Sequence, residues 1–181
     1  MACRRSVFET LLEPHIPHLY RLAFRFCAQR EDAEDLVQEL LTKLYPRTGE
    51  LECLDRPRPW LSRVLYRLYV DRYRRAVRDP VEFFEHTDLH PSGLPEPDQA
   101  AERLGLQQRI ADALNCLNED QRAVVILHDI EGFSLPEVQL ILDVPLGTLK
   151  SRLNRAHSRL RGVLSDDEAV EPSADRRRVG I

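Results

Sequence analysis

Residues 145–164 carry five basic side chains and no acidic one. Lys150, Arg152, Arg155, Arg159 and Arg161 alternate with Thr148, Ser151, Asn154 and Ser158, while Leu149, Leu153, Ala156, Leu160 and Leu164 recur at helical spacing. On a helix the leucines form one side, and Ser151, Asn154, Arg155 and Ser158 form the other. Such a face suits a DNA major groove: Arg and Asn make paired hydrogen bonds to base edges, and flanking cations bind phosphates. A second basic stripe precedes it. Arg63, Arg67, Arg74 and Arg78 fall within one narrow arc of a helix, beside Tyr66, Val70 and Tyr73. Guanidinium groups next to aromatic rings can grip a phosphate backbone and stack on unpaired bases. The other reading is a solvated arginine face whose tyrosines pack on neighbouring helices.

Other chemistry is not indicated. Cys3, Cys27, Cys53 and Cys116 are dispersed, with no Cys-x-x-Cys, and read as reduced thiols rather than as disulfides or zinc ligands. The seven glycines form neither a Gly-x-Gly-x-x-Gly nor a Gly-Lys-Ser/Thr loop. His86 and His90 are four residues apart, but Pro91 follows and no third ligand is near. His15 and His18 are expected on the surface of the first helical segment. No nucleophile–base–acid arrangement is detectable, so neither catalysis nor a cofactor or metal is expected.

The elements that must position these stripes are helices. Phe8, Leu11, Leu12, Leu19, Leu22, Ala23 and Phe26 predict one or two amphipathic helices. A further helix is expected from Arg30 to about Tyr45. Leu36, Leu40 and Leu44, with Val37, Leu41 and Tyr45, form its buried stripe, and Asp35, Gln38, Glu39 and Thr42 face solvent. After Pro57 and Pro59 a long helix is expected from Trp60 to about Arg78, with Leu61, Val64, Leu65 and Leu68 inward. Nearer the C-terminus, a helix from about Glu119 to Asp129 ends at Gly132. Ser134-Leu135-Pro136-Glu137 then has capping-box spacing. A short helix to Leu142, burying Leu135, Val138, Ile141 and Leu142, turns through Asp143-Val144-Pro145 into the basic helix: a helix–turn–helix.

The 181 residues carry a net charge of −4, but it is segregated. Residues 1–78 hold 15 basic and 11 acidic side chains, 79–104 hold one and seven, 105–144 hold two and seven, and the tail 165–181 holds three and five. Local potential within a Debye length decides DNA binding, so an acidic chain can present two cationic faces. The expected organisation is all-α. A helical domain over 1–78 and a helix–turn–helix domain over 105–164 are joined by a flexible acidic, proline-containing linker over 79–104, and the tail 165–181 is expected to be disordered. No apolar run is long enough to cross a membrane, and the N-terminus lacks a secretory signal, which places the chain in the cytoplasm.

Three blocks carry a family resemblance: Asp32-Ala33-Glu34-Asp35-Leu36-Val37-Gln38-Glu39; Trp60-Leu61-Ser62-Arg63 with Asp71-Arg72-Tyr73-Arg74-Arg75; and the distal run from Leu117-Asn118-Glu119-Asp120-Gln121-Arg122 to Asn154-Arg155-Ala156. Together they resemble a bacterial sigma factor of the sigma-70 family, and within it the extracytoplasmic-function (ECF) class, which keeps only the second and fourth sigma domains. The resemblance covers roughly residues 8–78 and 105–164. It implies that Asp35, Gln38 and Glu39 dock on the β′ clamp helices of core RNA polymerase, with the β flap as a second polymerase contact. It implies that Trp60, Arg63, Arg67, Arg74 and Arg75 read and open the −10 promoter element. Thr148, Lys150, Ser151, Asn154 and Arg155 would read the −35 element, with Arg152 serving a phosphate or domain packing. An anti-sigma factor is the further partner it implies. Three positions depart from the family pattern, Arg67, His128 and Pro145, and the loop 46–59 with Cys53, Asp55 and Arg56 is idiosyncratic. A different class of answer is a stand-alone regulator whose helix–turn–helix binds an operator as a dimer. That reading leaves the Asp35/Gln38/Glu39 face and the Arg/Tyr helix without a purpose.

Overall fold

The computed structural model describes residues 4–78, 110 and 112–168, with side chains up to residue 75 in the first stretch and up to 163 in the last. Eight α-helices are used below: α1 (Arg4–Leu12), α2 (Ile16–Cys27), α3 (Arg30–Leu44), α4 (Thr48–Glu52), α5 (Pro57–Arg78), α6 (Glu119–Val125), α7 (Leu135–Leu142) and α8 (Leu146–Glu168). Backbone over 112–115 is also helical, and no strand occurs among the described residues. The linker expected over 79–104, with His86 and His90, lies outside the described residues, as do Cys3 and the tail beyond Glu168.

The helices begin and end where local chemistry dictates. Helix α2 stops at Ala28, whose φ of 65° is left-handed and whose N–H still donates to the Phe24 carbonyl. Helix α5 starts at Pro57, earlier than the expected Trp60, because proline in a first turn removes no helical hydrogen bond. Helix α6 runs into a π turn over Ile126–Ile130, in which the Glu131 N–H reaches back to the Ile126 carbonyl. Gly132, at φ 73°, then reverses the chain. Ser134 and Glu137 close the expected capping box, the Glu137 carboxylate accepting from both the Ser134 N–H and its hydroxyl. Helix α8 continues past Leu164, the expected end, to Glu168.

Leu19 and Leu22 of α2, Leu36, Leu40 and Leu44 of α3, and Leu61 and Leu65 of α5 are fully buried, each worth about 2 kcal/mol of apolar transfer. Tyr45 departs from the expected stripe. The backbone tightens into a 3-10 turn at Tyr45–Arg47, which carries the ring outward to 42% exposure, edge-on to Phe8. In the C-terminal unit α6 and α7 pack on α8 through Val124, Val138, Ile141, Leu149 and Ala156. The two units are in contact. Helix α7 packs on α5, and one apolar cluster runs without a break from Leu61 and Leu65 to Phe133, Val138 and Ile141.

Candidate nucleic-acid and polymerase interfaces

On α8 the periodicity places the side chains as expected. Lys150, Ser151, Asn154, Arg155 and Ser158 are exposed, while Leu149 and Ala156 are buried. The Ser151 hydroxyl donates to the Thr148 carbonyl at 2.9 Å, and the Arg155 Nε donates to the Ser151 carbonyl at 3.2 Å. The polar face is thereby held along its own helix with its outer atoms free for solvent. Thr148 is half-buried. Arg152 differs from its neighbours: it pairs with Asp120 of α6 at 2.6 Å and ties α8 to the rest of its unit.

The α3 face is split. Asp35 and Gln38 are exposed, but Glu39 is half-buried between Lys43, at 2.8 Å, and Arg72 of α5, at 3.1 Å. Its carboxyl is held below the usual range, chiefly by the Lys43 hydrogen bond, with Arg72 adding to it against a desolvation penalty. Arg72 also reaches the Asp32 carbonyl at 3.4 Å, so the Glu39–Arg72 contact clamps α3 to α5.

Along α5, Arg67, Arg74 and Arg75 are exposed and Arg63 is half-buried; the Arg78 side chain lies outside the described residues. Trp60 is half-buried, with the Arg47 guanidinium 5.6 Å from its ring centre. The tyrosines divide between the two readings the sequence left open. Tyr66 and Tyr69 are half-buried against Phe26, at ring separations of 5.4 and 5.1 Å, and burial pushes the Tyr66 phenol up to about 12. Tyr73, 47% exposed, remains available for stacking.

The side chains hardest to find in the sequence lie at the seam between the units. His18, expected on the surface, is 6% exposed. It is buried because its side of α2 faces the C-terminal unit, a contact no local periodicity encodes. Its Nε2 lies 3.0 Å from the Ser62 hydroxyl and its Nδ1 3.0 Å from the Glu131 carboxylate. Glu131 is also 3.2 Å from Arg25 and 3.5 Å from Arg58, and Arg58 donates to the Glu131 carbonyl at 2.8 Å. Burial tends to raise the Glu131 carboxyl, but His18 and Arg25 outweigh it and hold the group below its ordinary value. Burial likewise pulls the Arg25 guanidinium down, against the opposing pull of Glu131.

Serine, histidine and carboxylate therefore stand in nucleophile–base–acid order, an arrangement not detectable from the sequence. Ser62 is fully buried and its hydroxyl also donates to the Arg58 carbonyl at 2.9 Å, so the trio has no approach for a substrate and holds the seam together. Farther out, Arg56 pairs with Glu137, and Arg63 and Arg67 lie 3.8 and 3.6 Å from Asp143 in the helix–turn–helix turn. Arg58 also stacks over Phe133, 4.7 Å from its ring centre. No group of side chains suited to a metal ion occurs among the described residues, and none of their helices is long and apolar enough to cross a membrane. Cys27, Cys53 and Cys116 are free thiols, and burial pushes Cys27 up to about 12.

The described residues form two packed helical units, the second a helix–turn–helix, and comparison with known proteins assigns the family. Residues 11–79 match the family model for sigma-70 region 2, and residues 107–160 match that for sigma-70 region 4. The chain is 35% identical over 164 residues to the ECF RNA polymerase sigma factor SigE of Mycolicibacterium smegmatis, covering 87% of this chain and 62% of that protein. It is 31% identical over 160 residues to the ECF sigma factor SigM of Mycobacterium tuberculosis, covering 88% and 78%. The sigma factor RpoE of Bartonella quintana, solved in complex with the anti-sigma factor NepR, superimposes with a TM-score of 0.70 at 30% identity, over 88% of this chain and 98% of that one. The chain belongs to the sigma-70 family, in its ECF class.

Proposed function

We propose that the chain binds the β′ clamp helices of core RNA polymerase through the α3 face around Asp35 and Gln38, with Glu39 at its edge, and contacts the polymerase β flap as well. Trp60, Arg63, Arg67, Arg74 and Arg75 then engage and open the −10 element, and α8 reads the −35 element through Thr148, Lys150, Ser151, Asn154 and Arg155. Arg152 supports the α8 geometry through Asp120. The chain acts in the cytoplasm and the polymerase performs the chemistry. The domains that do this are 1–78 and 105–164, separated by 79–104 and followed by 165–181. An anti-sigma factor is a further partner, by analogy with the NepR-bound relative.

The observation that carries this reading is the solvent-facing side of α8, acid-free over residues 146–164 and set behind a capped turn, on a chain whose first unit presents a separate basic helix. Run-off transcription with purified core polymerase and a pool of promoter fragments tests it. Specific transcripts are expected with the wild type and lost with Asp35→Ala/Gln38→Ala, which leaves the Glu39–Arg72 clamp intact. Sequence-specific DNA binding without any transcript would instead favour the dimeric operator-binding regulator.

A further inference from the structure

The basic residues of α5 and the loop before it do not face open solvent alone. Arg56 meets Glu137, Arg58 meets Glu131, and Arg63 and Arg67 both meet Asp143. All three acids come from one short stretch of the C-terminal unit: the residue before Gly132, the first turn of α7, and the residue that caps its end. All four arginines come from the first unit, and the residues in each pair are far apart in sequence, 73 positions for Arg58 and Glu131. The charge match therefore belongs to the seam and is not an accident of helix spacing. A carboxylate beside a guanidinium offers the same planar pair of anionic oxygens that a phosphodiester offers.

We propose that Glu131, Glu137 and Asp143 act as surrogate phosphates: the C-terminal unit masks a strand-binding track that runs through Arg56, Arg58, Arg63 and Arg67, and nucleic acid must displace it. This rests on the −10 reading above and extends it in two ways. It adds Arg56 and Arg58 to the track, and it makes the packed arrangement of the two units a self-inhibited state. Opening exchanges carboxylates for phosphates at Arg56, Arg58, Arg63 and Arg67, while Arg25 and His18 give up Glu131 without such a replacement. What must be supplied from elsewhere is the apolar contact of Phe133, Val138 and Ile141 with α5. Polymerase binding, by holding the units apart, would supply it.

Two substitutions remove surrogate charges while keeping the local fold. Glu137→Gln preserves the capping box, which accepts Gln at that position. Asp143→Asn keeps a residue that tolerates the left-handed φ of 59°. The free full-length chain is titrated against a fluorescein-labelled oligothymidylate by fluorescence anisotropy over a range of NaCl concentrations. Because the masked pairs are partly exposed, the double variant is expected to bind about two- to fivefold more tightly than wild type. Adding Arg56→Gln/Arg58→Gln to that variant should reverse the gain and lower the slope of log K against log salt by about 1.4, the value for two phosphate contacts on a single strand. Affinity unchanged by Glu137→Gln/Asp143→Asn overturns the masking, and an unchanged slope in the quadruple variant removes Arg56 and Arg58 from the track. Wild-type run-off transcription with core polymerase separates these outcomes from failure of the parent reading, which would show as no transcript at all.

Discussion

A carboxylate taken out of water must be held by positive charge, and Glu131, 8% exposed, is held by Arg25, Arg58 and the His18 ring. Substituting Glu131→Gln keeps the shape and removes the charge, leaving Arg25 and His18 with no negative charge between them. The expected cost is about 2 kcal/mol at neutral pH, below the range for a fully buried pair because both arginines are partly exposed. The pH dependence has a definite sign. The folded carboxyl sits below its ordinary value of 4.5, so its stabilisation is complete above that value and is lost as pH falls through the depressed one. Urea unfolding should therefore show a gap between wild type and Glu131→Gln that persists from pH 7 down to about 5.5 and closes in more acidic buffer. A gap that shrinks between pH 7 and 6 would contradict the assignment of this effect to Glu131.

At the scale of elements, the turn between α6 and α7 depends on two local devices. Gly132 has no atom within 4 Å of the position a methyl group would take, so Gly132→Ala is penalised only by the backbone, at φ 73°. A loss of about 1 kcal/mol is expected in thermal or urea unfolding, and no loss would mean that the turn relaxes. Ser134→Ala should cost a similar amount by removing half of the capping box, whereas Glu137→Gln should not. These features were legible in the sequence, because Ser-x-x-Glu spacing and a helical leucine period are local signals. So was the outward face of α8, since Ser151, Asn154 and Arg155 lie opposite Leu149 and Ala156 on any helix. What was not legible was set by tertiary contact. His18 carries no apolar signal of its own and is buried because Ser62 of α5, together with Glu131 and Phe133 of the second unit, closes over it. Glu39 lies on the expected α3 face, but Arg72 draws it toward α5. Tyr45 continues the four-residue repeat, and only the 3-10 turn turns it outward.

At the scale of the molecule, the seam combines a dry centre with a charged rim, and the two parts respond differently to conditions. The rim pairs of Arg56, Arg63 and Arg67 are exposed enough for salt to screen, while Phe133, Leu61, Val138 and Ile141 are not affected that way. Phe133, 3% exposed, joins the two parts: the His18 ring meets it edge-on at 5.7 Å, and the Arg58 guanidinium covers it at 4.7 Å. Truncating a buried phenylalanine removes about 3 kcal/mol or more of packing. Because Phe133 lies between units whose own leucine cores stay intact, that loss should fall mainly on closure. Phe133→Ala is therefore expected to raise the radius of gyration in small-angle scattering while the far-ultraviolet helical signal stays near that of the wild type. Added salt should enlarge the molecule further in the variant, where the apolar centre is weakened and the rim carries more of the closure, but only slightly in the wild type, where that centre is intact. An unchanged radius would show that the rim and the remaining contacts of Val138 and Ile141 close the seam without Phe133. A lost helical signal would show that the C-terminal unit cannot fold without Phe133, and that the seam is part of its core rather than a contact it can release.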